Sequence, residues 1–314
     1  VNLLTALAAK ARAAAHPHAA GAGCACGAAA PLADRPDATV VRHGGTVAKA
    51  HAPGTDPAEL SLRLATAARL PDVLLAPLTP EPAPLHDRLV TFWPYGTPVD
   101  PDDPDAAPWE AAATLLARLH RAPPSGALPP MRGPAKAARA VDRLHAALRT
   151  APHAAARPVL RAWATLPAWA RGQGPMPRPT ALCHGDLHLG QLVRHPAPDG
   201  SWRLIDVDDL GTGVPAWDLA RPAAWYACGL LPPDEWTRFL TAYRDADGPG
   251  VPPDGDPWTV LDVPARALTV QTAALAIAKA LAARRPLDEV QQALIDACAR
   301  MTSTPSRLTA GFPD

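Results

Sequence analysis

Cys183-His184-Gly185-Asp186-Leu187-His188-Leu189-Gly190-Gln191-Leu192-Val193, followed by Leu204-Ile205-Asp206-Val207-Asp208-Asp209, is the stretch that decides the reading of this chain. Two short strand-like runs bracket it, Ala181-Leu182-Cys183 and Arg203-Leu204-Ile205. The first delivers a glycine-containing loop that carries Asp186, with the amide of Gln191 five positions later. The second ends at Asp206.

Carboxylates and an amide in this order suit phosphoryl transfer. A carboxylate fixed on a short loop can orient an acceptor hydroxyl and take its proton. Magnesium takes hard oxygen ligands, usually one or two carboxylates together with phosphate oxygens. Asp206 at a strand end, beside an amide oxygen from Gln191, supplies such ligands.

Outward from this stretch the chain divides by pattern. Leu3, Leu4 and Leu7 share one face of an alanine-rich helix predicted over 1–20. Thr39-Val40-Val41-Arg42 and Thr46-Val47-Ala48-Lys49-Ala50-His51 read as a hairpin turning at His43-Gly44-Gly45. Asp56 as N-cap and Pro57 at the first helical position predict a helix to about Leu70. Leu89-Val90-Thr91-Phe92-Trp93 is a further strand, ended by Pro94-Tyr95-Gly96. The Pro/Asp-rich segment 97–108 is taken as the boundary between a lobe over 1–96 and one over 97–314. The second half reads as mainly helical, with helices over 109–120, 134–150, 152–170, 217–229, 233–246, 257–284 and 287–302. The expected class is α+β, a small β-containing lobe followed by a larger helical one.

Composition narrows the functions. The 314 residues hold 48% hydrophobic side chains, enough for a sizeable core, and the formal net charge is zero, which argues against a generally basic nucleic-acid binder. Only Lys10, Lys49, Lys136 and Lys279 are lysines. Five scattered cysteines form no disulfide framework and point to a reducing, cytoplasmic setting. The apolar N-terminal stretch is interrupted by Lys10 and Arg12, so it is read as a helix rather than a leader. No apolar run approaches the roughly 20 residues that span a bilayer.

The His-Gly-Asp loop, the amide five residues after Asp186 and the Ile-Asp that opens the acidic segment resemble the signature of the aminoglycoside phosphotransferase and choline kinase-like family. Gly213, Pro215, Asp218, Leu219 and Ala220 continue that resemblance. The His-Gly-Asp-Leu-His-Leu-Gly-Gln string is similar to that of maltokinase-like members. The resemblance implies a bilobal protein-kinase-like fold and ATP-dependent phosphorylation of a small-molecule hydroxyl. Asp186 corresponds to the catalytic base, and Gln191 and Asp206 to magnesium ligands, Gln191 standing where asparagine is usual. Asp208 touches a second metal or holds the loop, and Asp218 orients the catalytic loop. Lys49 resembles the lysine that contacts the α- and β-phosphates. Glu59 is its candidate partner, or else a carboxylate favoured at a helix start. Phe92 and Trp93 resemble the interlobe hinge that holds adenine, and fit core packing equally. Ala33 to Asp37 is the candidate phosphate-covering loop. An antibiotic, sugar, amino alcohol or biosynthetic intermediate fits as acceptor, with no nucleic-acid or membrane partner. The rival readings are a kinase for peptide or protein hydroxyls and a non-catalytic nucleotide-binding pseudokinase.

Three side features remain. His16-Pro17-His18 and Cys24-Ala25-Cys26 offer nitrogen and sulfur donors that suit zinc, but their spacing is no standard finger pattern and they are read as loop residues. His188 is read as structural. Asp247, Asp254 and Asp256 are read as a solvated turn.

Overall fold

The computed structural model describes residues 2–17, 24–124, 127–178 and 180–303. The chain divides into two compact units. The first gathers residues 1–115, 124–129 and 189–210; the second gathers 116–123, 130–188 and 211–314.

The first unit is built on an antiparallel sheet. Its strands are β1 (Ala30–Arg35), β2 (Ala38–His43), β3 (Thr46–Ala50), β4 (Ala83–Leu85) and β5 (Arg88–Pro94), in the order β1-β2-β3-β5-β4. β2 and β3 alternate buried and half-buried positions, the period of a sheet with one face on a core. That core is Val41, Ala48, Ala50, Val90 and Phe92, closed by Leu7 and Ala11 of α1 (Leu3–Ala15). Thirteen residues are short for a helix in isolation, so α1 depends on this packing. The small Ala48 and Ala50 leave room for the helix to lie close on the sheet.

β1 and β4 were not expected. β1 runs through Ala33-Asp34-Arg35, so the predicted phosphate-covering loop shrinks to a turn at Pro36-Asp37, with Arg35 opposite Ala38. β4 forms within the proline-rich segment because it is an edge strand, where proline's missing N–H costs no ladder bond. α2 (Pro57–Arg69) starts as predicted: the Asp56 side chain accepts from the N–H groups of Ala58 and Glu59, at 2.8 and 3.0 Å. A three-stranded sheet ordered β6-β8-β9 completes this unit, from β6 (Thr97–Pro98), β8 (Leu192–His195) and β9 (Ser201–Leu204). It brackets the Asp206 segment, and Leu75 N–H reaches the Leu204 carbonyl at 2.8 Å.

α3 (Trp109–Arg121) carries the division between the units within its length. The second unit is helical: α4 (Gly133–Leu148), α5 (Ala156–Ala164), α6 (Ala220–Ala227), α7 (Pro233–Asp245), α8 (Trp258–Ala283) and α9 (Glu289–Ser303). A small sheet pairs β7 (Ala181–Cys183) with β10 (Gly211–Gly213). Val141 and Leu144 of α4, Val159 of α5, Val270 and Ile277 of α8, and Ile295 of α9 meet in one apolar core. α8 is, against the sequence reading, long and apolar enough to cross a membrane, yet 67% of its most apolar window is buried within the protein. Its hydropathy is that of a helix packed on most sides.

The N-cap of α2 gives a direct check. Asp56→Ala leaves the Ala58 and Glu59 N–H groups to water and is expected to lower stability by about 1 kcal/mol in urea unfolding, with Asp56→Ser recovering most of it.

Candidate active site

In the first unit the site is assembled around one ammonium. Lys49, on β3, lies 2.7 Å from Asp206 Oδ1 and 2.9 Å from Asp208 Oδ2. The strand period places it opposite Thr91 of β5. Asp206 follows β9 and takes a left-handed backbone, φ +66°. That conformation costs an L-residue about 1–2 kcal/mol. Its carboxylate accepts from Lys49 and, at 3.3 Å, from the Gln191 amide. Charge-assisted hydrogen bonds contribute about 1.5–3 kcal/mol each, so the contacts outweigh the strain.

Asp208 is shared. One oxygen meets Lys49 and the other lies 2.9 Å from His51 Nδ1. The buried His51 imidazole is anchored through Nε2 to the Thr91 hydroxyl at 2.9 Å. Burial raises the Asp208 pKa, but Lys49 and then His51 overcome it and hold the carboxyl well below its ordinary range. For Lys49 burial works against the charge, and Asp206 and Asp208 reverse it, so the ammonium titrates above its ordinary value. Lys49 and Asp208 are therefore both charged at neutral pH.

Gln191 ends a short 3-10 turn over Leu189–Gln191 and is buried, its backbone carbonyl accepting from Ile205 N–H at 2.9 Å. The structure thus brings Lys49, Gln191, Asp206 and Asp208 together. It does not bring Glu59 to Lys49. Glu59 pairs with Arg63 one turn along α2 at 3.1 Å, while both acidic partners of Lys49 come from the distant Asp206 segment. Arg63, missed by the sequence reading, is fully buried and donates to the Leu210 carbonyl at 2.9 Å, tying α2 to the end of the acidic segment. Phe92 and Trp93 are packed, each 8% exposed. Phe92 lies in the core, its carbonyl accepts from Leu78 N–H, and the Trp93 indole N–H donates to Thr91.

In the second unit Asp186 sits on the loop after β7. Its Oδ2 lies 2.5 Å from Lys136 Nζ and its Oδ1 2.8 Å from Arg221 Nη2. Burial raises its pKa, and Lys136 and then Arg221 bring the net shift below the ordinary value. Arg221 also donates to the Leu187 carbonyl at 2.9 Å, fixing the loop and the carboxylate with one side chain. Burial first, then the Arg221 guanidinium, push His188 down to about 4, so it is neutral at neutral pH. Neither Lys136 nor Arg221 was singled out from sequence. Arg221 directly follows the Leu219-Ala220 pair, but Lys136 lies on a helix with no local mark of the loop it reaches.

The loop is braced from beneath. Asp218, 1% exposed, accepts from the His184 and Gly185 N–H groups at 2.5 and 2.7 Å. Gly185 has φ +85°, a conformation that favours glycine, and it turns those N–H groups toward one carboxylate. Asp218 also meets His120 Nε2 at 3.0 Å; His120 Nδ1 is 2.7 Å from the Tyr243 hydroxyl, which accepts from Gly250 N–H at 2.8 Å. The donors then run one way: Gly250 N–H to the Tyr243 oxygen, Tyr243 O–H to Nδ1, and Nε2–H to Asp218. Burial keeps Tyr243 protonated, as this chain requires.

The profile of the phosphotransferase enzyme family matches residues 39–260. The chain belongs to that family and is a phosphotransferase. No curated protein sequence matches it. Among solved structures it is similar to a choline/ethanolamine kinase family protein from Mesorhizobium loti (18% identity, 95% of this chain and 96% of that one, TM-score 0.56). It is also similar to choline kinase from Cryptosporidium parvum Iowa II (10%, 93% and 94%, 0.58). A third is spectinomycin phosphotransferase APH(9)-Ia, solved with ADP and spectinomycin (15%, 90% of each chain, 0.57). These likenesses establish the shared α+β, protein-kinase-like fold.

Asp218→Ala leaves two buried N–H groups and an imidazole without their acceptor. Each orphaned group costs about 1–3 kcal/mol, so the variant is expected to lose at least about 3 kcal/mol in urea unfolding, and Asp218→Asn less.

Proposed function

We propose that this phosphotransferase moves the γ-phosphoryl group of ATP, with magnesium, onto a hydroxyl of a small molecule. The observation that carries the reading is the Lys49 ammonium held by Asp206 and Asp208 at 2.7 and 2.9 Å. A cation on a strand, paired with two carboxylates and released as phosphates arrive, suits the nucleotide side of such a reaction.

The donors fit magnesium. Asp206 and Asp208 offer hard carboxylate oxygens, the ligand type this ion takes; Gln191 donates its amide N–H to Asp206 and would turn its amide oxygen to the ion. Magnesium, when bound, would neutralise charge on the β- and γ-phosphates. In this proposal Lys49 holds the phosphates, and Phe92 and Trp93 serve as the packed support of the strand end nearest adenine. Asp186 orients the acceptor hydroxyl and accepts its proton as the new O–P bond forms and ADP leaves. Its carboxylate, with both oxygens already bonded to cations, acts more by orientation than by basicity, since a lowered pKa makes a weak base.

The surroundings of Asp186 narrow the acceptor. Lys136 and Arg221 both lie against its carboxylate, which leaves a cationic border rather than the acidic one a polycation would need. We therefore assign a neutral or anionic hydroxyl compound as acceptor, ahead of a polyamine-like antibiotic.

Asp186→Asn and Asp206→Ala are each expected to cut turnover by about 100-fold or more, measured as ADP release with an acceptor panel and magnesium. A magnesium-dependent rise in melting temperature with ATP should survive in the first variant and vanish in the second. Equal turnover in wild type and Asp186→Asn would refute the assignment of the base. Lys136→Met removes the cation that most depresses Asp186. The acidic limb of the kcat/KM profile should then move to higher pH, because the carboxylate now protonates earlier as pH falls.

A further inference from the structure

We propose that His16, Cys24, Cys26 and His43 form a zinc site in the first unit. The sequence reading took the histidines and cysteines before residue 27 for loop residues, since CxC with an HxH is no finger pattern. Folding supplies the missing ligand from elsewhere. His43, the last residue of β2, is fully buried and faces the loop that carries both thiols, whereas His18 lies outside the described residues.

The geometry suits a tetrahedral ion. One ligand atom from each of the four side chains lies within 4.8 Å of all the others. Cys24 Sγ is 3.1 Å from His43 Nε2, and Cys26 Sγ is 3.5 Å from His16 Nε2. Zinc bonds to sulfur and imidazole nitrogen imply ligand–ligand separations of about 3.3–3.8 Å, which small side-chain movements reach. The imidazoles stand edge to face, ring centres 5.4 Å apart and planes at 81°, so their nitrogens can approach one centre without stacking. Gly44, at φ +57°, lets Cys26 come close over the hairpin turn: a Cβ there would stand 3.1 Å from Cys26 Sγ. Both cysteines are free thiols.

The other cluster of this kind among the described residues shows the contrast. His120, Cys183 and Asp218 are also close and wholly buried, but there the imidazole nitrogens and the carboxylate already serve Tyr243, His184 and Gly185. In the His16–His43 cluster the named contacts are among the would-be ligands themselves.

Two thiolates and two neutral imidazoles select zinc over harder ions. Binding releases two protons, one from each thiol, and the complex carries no net charge, which permits a half-buried position. The ion would join the end of α1, the Cys24–Cys26 loop and the end of β2. These are the points at which α1 leaves the sheet, so the expected role is structural.

The test uses the full chain purified under reducing conditions without chelator. Metal analysis should find one zinc per chain in wild type and in Asp186→Asn, and only background in Cys24→Ser/Cys26→Ser. Cobalt added to the demetallated wild type should give the intense visible bands of a tetrahedral site with sulfur-to-metal charge transfer. Chelation should lower the melting temperature of wild type by several degrees and leave the double variant unchanged. Should the double variant misfold, the wild-type cobalt spectrum decides alone. Substoichiometric zinc with an octahedral cobalt spectrum overturns the proposal, as does a mass two hydrogens light that shows a Cys24–Cys26 disulfide after purification under reduction. Zinc retained in the double variant overturns it too.

Discussion

A carboxylate that must stay ionised away from bulk water needs a partner that stays in place, and this requirement organises both units. Taking a charge out of water costs several kcal/mol unless other charges or N–H groups replace its hydration. Each functional carboxylate here has that replacement within its own unit. Asp206 and Asp208 share Lys49, and Asp208 has His51 as well. Asp186 has Lys136 and Arg221. Asp218 has two backbone N–H groups and an imidazole instead of a full cation. The difference follows burial. The partly exposed carboxylates are matched by long-chain cations. The fully buried one is matched by backbone N–H groups and a buried ring.

This division explains why the elements lie where they do. β3 must place Lys49 on the sheet face opposite the α1 core, and the alternation between Ala48 and Ala50 does so. α2 contributes through Arg63, whose buried guanidinium holds the Leu210 carbonyl and so the far end of the acidic segment. In the second unit, β7 and β10 pair over only three residues, too few to be stable alone. Asp218, carried just beyond β10, anchors the loop that leaves β7.

What the sequence made legible was whatever a single local stretch encodes. The Asp56-Pro57 helix start, the His43-Gly44-Gly45 turn and the long amphipathic helices have their causes within a few residues. The spacing of Asp186, Gln191 and Asp206 is likewise written in one segment. Partners were not. Glu59 was chosen for Lys49 because it lies nearby in sequence, but an i,i+4 arginine on its own helix claims it. Lys136 sits in a stretch with no motif, and His43 was read only as part of a turn; what lies beside each is set by the fold. β1 and β4 were hidden by proline and alanine, residues that avoid central strands but are tolerated at the sheet's edges.

The same reasoning bears on Gln191. A side chain one methylene longer than asparagine needs its amide held, or the added rotamer freedom would dilute its position by an entropy of up to about 1 kcal/mol. The structure holds it in two ways. The residue is buried at the end of a short turn, and its side-chain N–H donates to Asp206 while its backbone carbonyl accepts from Ile205 N–H. Asp206 in turn is turned toward that amide by its left-handed backbone. The longer side chain and the strained aspartate are thus complementary: each places a polar group that the other fixes. The longer side chain is accommodated by local geometry, its amide N–H held by Asp206.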